Sequence, residues 1–138
     1  IDFGDATYSY SINEIVIAIA YGLICPFGLK NPEVLLKTML SAYCHSIRTS
    51  NEKNEDKVEE SSRKSLYEYL SPLEVTSFRL LLVIRLATSI TMGHYSMLKN
   101  PENIAYLELH AVPARTMLHY IWSNWSNNSV IDMIQSIE

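Results

Sequence analysis

Hydrophobic positions along this chain fall into blocks separated by short polar breaks, and most blocks open on helix-capping chemistry. The apolar run Ile15 to Cys25, IVIAIAYGLIC, follows Ser11-Ile12-Asn13-Glu14. In this S-x-x-E form the Ser side chain accepts from the amide three residues on and the Glu reaches back, so two orphan donors are satisfied. The pattern predicts a helix from about Ile12 to Leu23, apolar enough to be packed on all sides. Asn31-Pro32-Glu33 sets a cap residue before a proline whose missing N–H costs nothing in a first turn. A second helix is expected from there to about Ser46, with Val34, Leu35, Met39, Ala42 and Tyr43 at helical spacing.

Ser71-Pro72-Leu73-Glu74 combines a capping box with a proline in the first turn, and it opens a helix expected to reach about Met97. Along it Leu73, Phe78, Leu81, Leu82, Ile84, Leu86 and Ile90 are too many for one stripe, which predicts burial on more than one side and a helix that forms the spine of the domain. Pro113 is expected to open a further helix through Trp122, and Val130 to Ile137 reads as a short amphipathic helix. Between the second and third of these helices, residues 49–65 (TSNEKNEDKVEESSRKS) hold Val58 as their one large apolar residue. Such a stretch buries too little surface to offset its ordering entropy and reads as a mobile surface insertion. Only Ile1 to Phe3 look extended. The expectation is a mainly α domain over residues 1–138 with a short strand remnant at its amino end.

Charge and composition narrow the choice of partners. A formal charge of −4 with 11 Lys and Arg gives no basic surface to neutralise phosphates, so nucleic acid is not an expected partner. Cys25 and Cys44 have neither the spacing of a metal knuckle nor the density of a disulfide scaffold, and read as free thiols in a reducing compartment. Asn124-Trp125-Ser126 and Asn127-Asn128-Ser129 match the glycosylation sequon, but with no signal peptide ahead of them they read as ordinary surface residues. The run Ile15–Cys25 is too short to cross a bilayer, and the apolar run Leu80–Met92 carries Arg85 at its middle, where a charge is costly in lipid. A cytoplasmic protein without a membrane span is expected.

The candidate chemistry sits at the amino end. Asp2-Phe3-Gly4-Asp5 places two carboxylates around a glycine that allows a sharp turn. Hard cations such as Mg2+ take one or two carboxylates together with phosphate oxygens and water, so an Asp closing a strand suits that purpose. The surrounding stretch IDFGDATYSYSINEIVIAIAYG resembles the metal-binding segment of the aminoglycoside phosphotransferase and choline kinase superfamily, and looks closest to its hydroxylysine kinase-like branch. The likeness continues in LSPLEVTSFRLLLVIRLATSITMGHYSMLKNPENIAYLELHAVPARTMLHYI, with its Arg-Leu-Ala-Thr-Ser core and Asn-Pro-Glu-Asn turn. The two blocks together cover more than half of the chain.

The resemblance implies a helical carboxy-terminal subdomain of a protein-kinase-like (α+β) fold, working with Mg2+ and GTP or ATP on a hydroxyl of an amine-bearing metabolite. The best single acceptor is 5-hydroxylysine. It further implies that Asp2 bridges Mg2+ to the nucleotide phosphates, where the metal offsets charge on the transferred group. Asp5 would stand close by, toward the metal's outer ligands or the substrate. Glu14 falls where relatives often carry an acid that braces the catalytic loop, although its capping-box role is the better account of it.

Departures from the family pattern are as informative. The superfamily needs a nucleotide-clasping loop, a Lys in its smaller lobe and a His-x-Asp-x-x-x-x-Asn loop. None occurs here: His45, His94, His110 and His119 have no Asp two residues on, and the glycines are scattered at 4, 22, 28 and 93. The chain is therefore expected to be the carboxy-terminal portion of such a kinase, inactive alone and partnered by an amino-terminal lobe that supplies the base.

Arg85, inside an apolar helix, requires a partner. Glu14, Asp5 or Glu108 would form a structural ion pair with it, while an amino-acid substrate would offer its carboxylate. Tyr8, Tyr10, Tyr21, Tyr95 and Tyr106 read as core aromatics before they read as the walls of a pocket for a cation, and His94 beside Gly93 reads as a structural histidine before a substrate contact. A protein-kinase reading of Asp-Phe-Gly fails because no Ala-Pro-Glu segment follows at activation-loop distance. The alternative that stands is a non-enzymatic helical interaction module.

Overall fold

In the computed structural model the described residues are 11–52 and 66–137. Ordered along the chain they form helices α1 (Ser11–Leu23), α2 (Pro26–Lys30), α3 (Pro32–Glu52), α4 (Leu66–Tyr69) and α5 (Pro72–Lys99). A 3-10 turn (Pro101–Asn103) then leads into α6 (Ile104–Asn124) and α7 (Asn127–Gln135). Among the described residues there is no strand, so the mainly α expectation holds. The strand remnant expected at Ile1 to Phe3 lies outside them.

The α5 helix is the spine. At 28 residues it is about 42 Å long, and α1, α6 and α7 all pack on it. Its start is the predicted one: Ser71 Oγ accepts from the Glu74 amide at 3.3 Å, and the Ser71 amide donates to Glu74 Oε2 at 2.8 Å. The burial is in part the expected one, with Leu81 and Ile90 packed against the core beside the fully buried positions and three helices around the rod. Val75, Phe78, Leu82 and Leu86 form one buried stripe, while Leu73, Leu80 and Ile84 face outward. The interval of three to four residues is that of a single helix face.

The same correction applies to α1 and α3. In α1 the buried face is Ile12, Ile15, Val16, Ile19, Ala20 and Leu23, and Ile17 and Tyr21 lie on the outer side, so the helix is not packed all round. In α3 the fully buried positions are Leu36, Leu40 and Cys44, with Leu35, Met39 and Tyr43 at the margin; Val34 and Ala42 are exposed. Of the five residues noted for their spacing, Leu35, Met39 and Tyr43 thus pack against the core from its margin. The helix also runs past Ser46 to Glu52, so the segment expected to be mobile from residue 49 begins with four helical residues; residues 53–65 lie outside the described ones.

Two short helices were not anticipated. Residues Pro26–Lys30 form α2 behind Cys25, whose sulfur accepts from the Gly28 amide at 3.4 Å. Gly28 is needed there because a Cβ would come within 2.7 Å of the Leu23 Cα, so the two backbones pass in contact. The second is α4, which buries Leu66 and leads to the buried Leu70.

Pro113 does not open a helix. It lies inside α6, which begins at Ile104. A proline within a helix leaves the carbonyl four residues back, that of Leu109, without its intrahelical donor. The helix persists because Ala111, Ala114, Met117 and Ile121 form a buried face on both sides of the proline, against α5. The last helix starts at Asn127, three residues before the predicted Val130. Ser126 and Ser129 cap it reciprocally, each amide donating to the other's hydroxyl at 3.0 Å.

Candidate functional site

Of the four residues singled out from sequence, Asp2 and Asp5 lie outside the described residues. Glu14 stands in the first turn of α1 with its side chain exposed. Arg85 is half-buried at the middle of α5 and meets neither Glu14 nor Glu108, both of which are exposed. Its partner is Tyr21, near the end of α1. Nη2 of Arg85 donates to the Tyr21 hydroxyl at 3.0 Å, and the guanidinium carbon lies 5.4 Å from the ring centroid. Among the described residues Arg85 thus meets an aromatic face and not a carboxylate, because the α1 face turned toward it presents Tyr21 and not the first-turn acid; the third expected partner, Asp5, lies outside the described residues. Nε of Arg85 is buried without a hydrogen-bond partner.

Tyr21 and Ser89 form a shared wall. On one side lies the narrow crevice that holds Arg85, closed by Ala20, Ile24 and Leu86. On the other is an open groove of ≈ 410 Å³ between the end of α1, the second half of α5 and the start of α6. Met92, Gly93, Ser96, Tyr106, Leu107, His110 and Ala111 complete it. Tyr106 and His110, one turn apart on α6, meet edge to face at 5.9 Å. The tyrosines expected in the core are outside it: Tyr21, Tyr95 and Tyr106 are all about half exposed or more. Tyr8 and Tyr10 lie outside the described residues. His94, expected to be structural, is exposed, and His110 is the histidine that lines the groove.

A second groove of ≈ 350 Å³ runs between α5 and α6, lined by Val83, Ala87, Leu118 and Trp122 with Arg115 and His119 at its edge. Beside it Arg79 lies 5.3 Å over the Trp122 ring and donates to the Trp122 carbonyl at 3.3 Å. That carbonyl belongs to the last turn of α6, where backbone oxygens lack intrahelical donors, so Arg79 caps a helix end.

Among the described residues no group of three or more His, Cys, Asp or Glu side chains is placed to hold a metal. Cys25 and Cys44 are both free thiols. Of the described helices α5 alone is long and apolar enough to cross a membrane. Tyr21 and Tyr106, read first as core aromatics and second as walls of a pocket, line the groove, whereas sequence reasoning missed Ser89 and His110 as groove residues. Tyr21 lies 64 residues from Arg85 in the chain, too far for local patterns to pair them.

The fold and site thus define an α-helical protein with an arginine-flanked groove. Comparison with protein-family models, with curated proteins and with solved structures finds no match.

Proposed function

We propose that this chain is the helical carboxy-terminal part of a cytoplasmic small-molecule kinase, one that transfers the γ-phosphate of GTP or ATP to a hydroxyl of an amine-bearing metabolite, with 5-hydroxylysine as the preferred acceptor. One observation carries the reading. The two sequence blocks that resemble the aminoglycoside phosphotransferase and choline kinase superfamily fold against each other, since α1 packs on α5 and Tyr21 of the first block holds Arg85 of the second. In the sequence Asp2-Phe3-Gly4-Asp5 stands five residues ahead of α1. On this reading Asp2 grips Mg2+ and Asp5 stands behind it, while base and nucleotide clasp come from an amino-terminal lobe.

The test is made on the longer polypeptide encoded with this chain. A His-x-Asp-x-x-x-x-Asn loop ahead of Ile1, phosphate transfer to 5-hydroxylysine, and loss of that transfer in Asp2→Asn are the expected results. Turnover in Asp2→Asn that equals the parent at saturating Mg2+ would remove Asp2 from the metal site. An unrelated sequence ahead of Ile1 would favour the second reading, a helical interaction module. The observation on that side is the apolar outer surface of the α5–α6 pair, where Leu80, Ile84, Met92, Leu98 and Leu109 are all exposed.

A further inference from the structure

The buried stripe of α5 takes up one side of the helix, and a second apolar series runs along the opposite side. Leu73, Leu80, Ile84 and Leu98 are its large members, each half exposed or more, and Ser77, Ala87, Thr91 and His94 stand between them. The intervals alternate between four and three residues, the period of about 3.5 at which a helix keeps one seam turned toward a helical partner. From Leu73 to Leu98 the seam is about 37 Å long, and it holds no Asp, Glu, Lys or Arg. On it or at its edge Thr76, Thr88 and Thr91 donate their hydroxyls to the carbonyls of Pro72, Ile84 and Ala87 at 2.8–2.9 Å. Drying this face therefore leaves none of these hydroxyls unpaired.

A second copy of α5 laid antiparallel meets the seam in register with itself. About a two-fold axis between Arg85 and Leu86, Leu73 faces the partner's Leu98, Leu80 the partner's Thr91, and Ile84 the partner's Ala87. Large residues oppose small ones near the centre and leucines close both ends, while Ser77 and the partner's His94 make one polar pair. At that centre lies the α5–α6 groove of ≈ 350 Å³, where Ala87 is joined by Val83, Leu118 and Trp122. It is the hole for the partner's Ile84. Arg115 and His119 stay at its edge, within reach of water. The residues Leu73, Leu80, Ile84, Tyr95, Leu98 and Trp122 are 50–83% exposed. Together they offer roughly 700 Å² per copy, close to the ≈ 800 Å² a side of a standard interface. A bilayer fits less well, because Arg79 and Arg85 sit in the middle of the same helix.

We propose that this chain forms a homodimer in which the outer seam of α5 pairs antiparallel with that of a second copy, each Ile84 seated in the other's α5–α6 groove. The pairing is independent of the kinase reading. Sedimentation equilibrium of the chain should give a dimer with a Kd in the micromolar range or tighter. Ile84→Lys adds a cation beside Arg115 and His119 and should weaken the dimer by ~100-fold or more. Leu98→Lys, too exposed to disturb the fold, should weaken it by ~10-fold. Met92→Lys, as exposed and on the same helix but off the seam, should leave it unchanged, with the helical circular dichroism of the parent in all three. Diluted below its Kd the chain should stay folded, and there Ile84→Ala should cost little. Oxidised together, Leu73→Cys and Leu98→Cys proteins should give a mixed disulfide dimer, and neither should do so alone. A monomer at every concentration, a dimer indifferent to both seam lysines, or cross-linking of each cysteine variant with itself overturns the proposal. So does a monomer that floats with phosphatidylcholine vesicles, which would give the seam to a membrane, or a monomeric longer polypeptide, which would give it to that polypeptide's own remaining residues.

Discussion

Arg85 and Tyr21 stand 64 residues apart in the chain and meet face to hydroxyl, the guanidinium 5.4 Å over the ring and bonded to its oxygen at 3.0 Å. This contact ties α1 to α5 through two separable terms. Tyr21→Phe removes the hydrogen bond and keeps the ring face, and should cost about 1 kcal/mol. Tyr21→Ala removes both and should cost a further ~0.5–2 kcal/mol. Urea unfolding followed by circular dichroism measures each; equal losses in the two variants would show that the ring contact contributes nothing.

Two glycines should respond oppositely to alanine. At Gly28 the added methyl group would press on backbone, 2.7 Å from the Leu23 Cα, and no side chain is there to give way. Gly28→Ala should destabilise by ~3 kcal/mol or more, on the scale of severe overpacking. At Gly93 the nearest atom is the Ala111 Cβ at 4.0 Å, ordinary contact. There the better helix propensity of alanine should win, raising stability by about 0.5–1 kcal/mol. Thermal melts of both variants check the sign in each case.

The α5 cap gives a local prediction. Ser71→Ala removes the acceptor for the Glu74 amide and should cost about 1 kcal/mol. The double variant with Glu74→Ala should cost less than the sum of the single ones, because either change alone breaks the reciprocal pair. Additive losses in a double-mutant cycle would mean that the two bonds act independently.

Pro113 is the clearest place to gain stability. Its position inside α6 denies a donor to the Leu109 carbonyl. Pro113→Ala restores that bond and relieves the ring's clash with the preceding turn, so it should raise stability by about 1–3 kcal/mol. A lower melting temperature in the variant would show that the proline is packed too well to replace.

Leu82 lies fully buried at the middle of the α5 stripe. Leu82→Ala should cost about 2–5 kcal/mol, through lost transfer energy and the cavity left behind. The outward-facing Ile84→Ala on the same helix should cost well under half as much, a comparison that tests the single-stripe burial directly by urea midpoint.

Local chemistry was legible and long-range geometry was not. Ser71 and Glu74 announce the start of α5 because capping needs only four neighbouring residues, and the helix begins where they place it. Pro113 misled for the same reason, since a proline reads locally as a first-turn residue while the burial of Ala111 and Ala114 on either side of it is decided by α5. In α3 the apolar letters fix a period, but Val34 and Ala42 are as apolar as Leu36 and Leu40, so the buried face could not be chosen without the neighbouring helices. Arg85 could be recognised as needing a partner. Formal charge pointed to a carboxylate and could not show that the packing of α1 on α5 brings the Tyr21 hydroxyl to the guanidinium.

The two arginines of α5 together fix how that helix can turn. Arg79 is fastened to Trp122 on α6 and Arg85 to Tyr21 on α1, and six residues along a helix separate them by about 120° around the axis. Any twist or slide of α5 would lengthen at least one of these tethers. Twist or slide of the rod therefore works against contacts on two of its sides, and the hydroxyls of Ser89 and Ser96 move only with it.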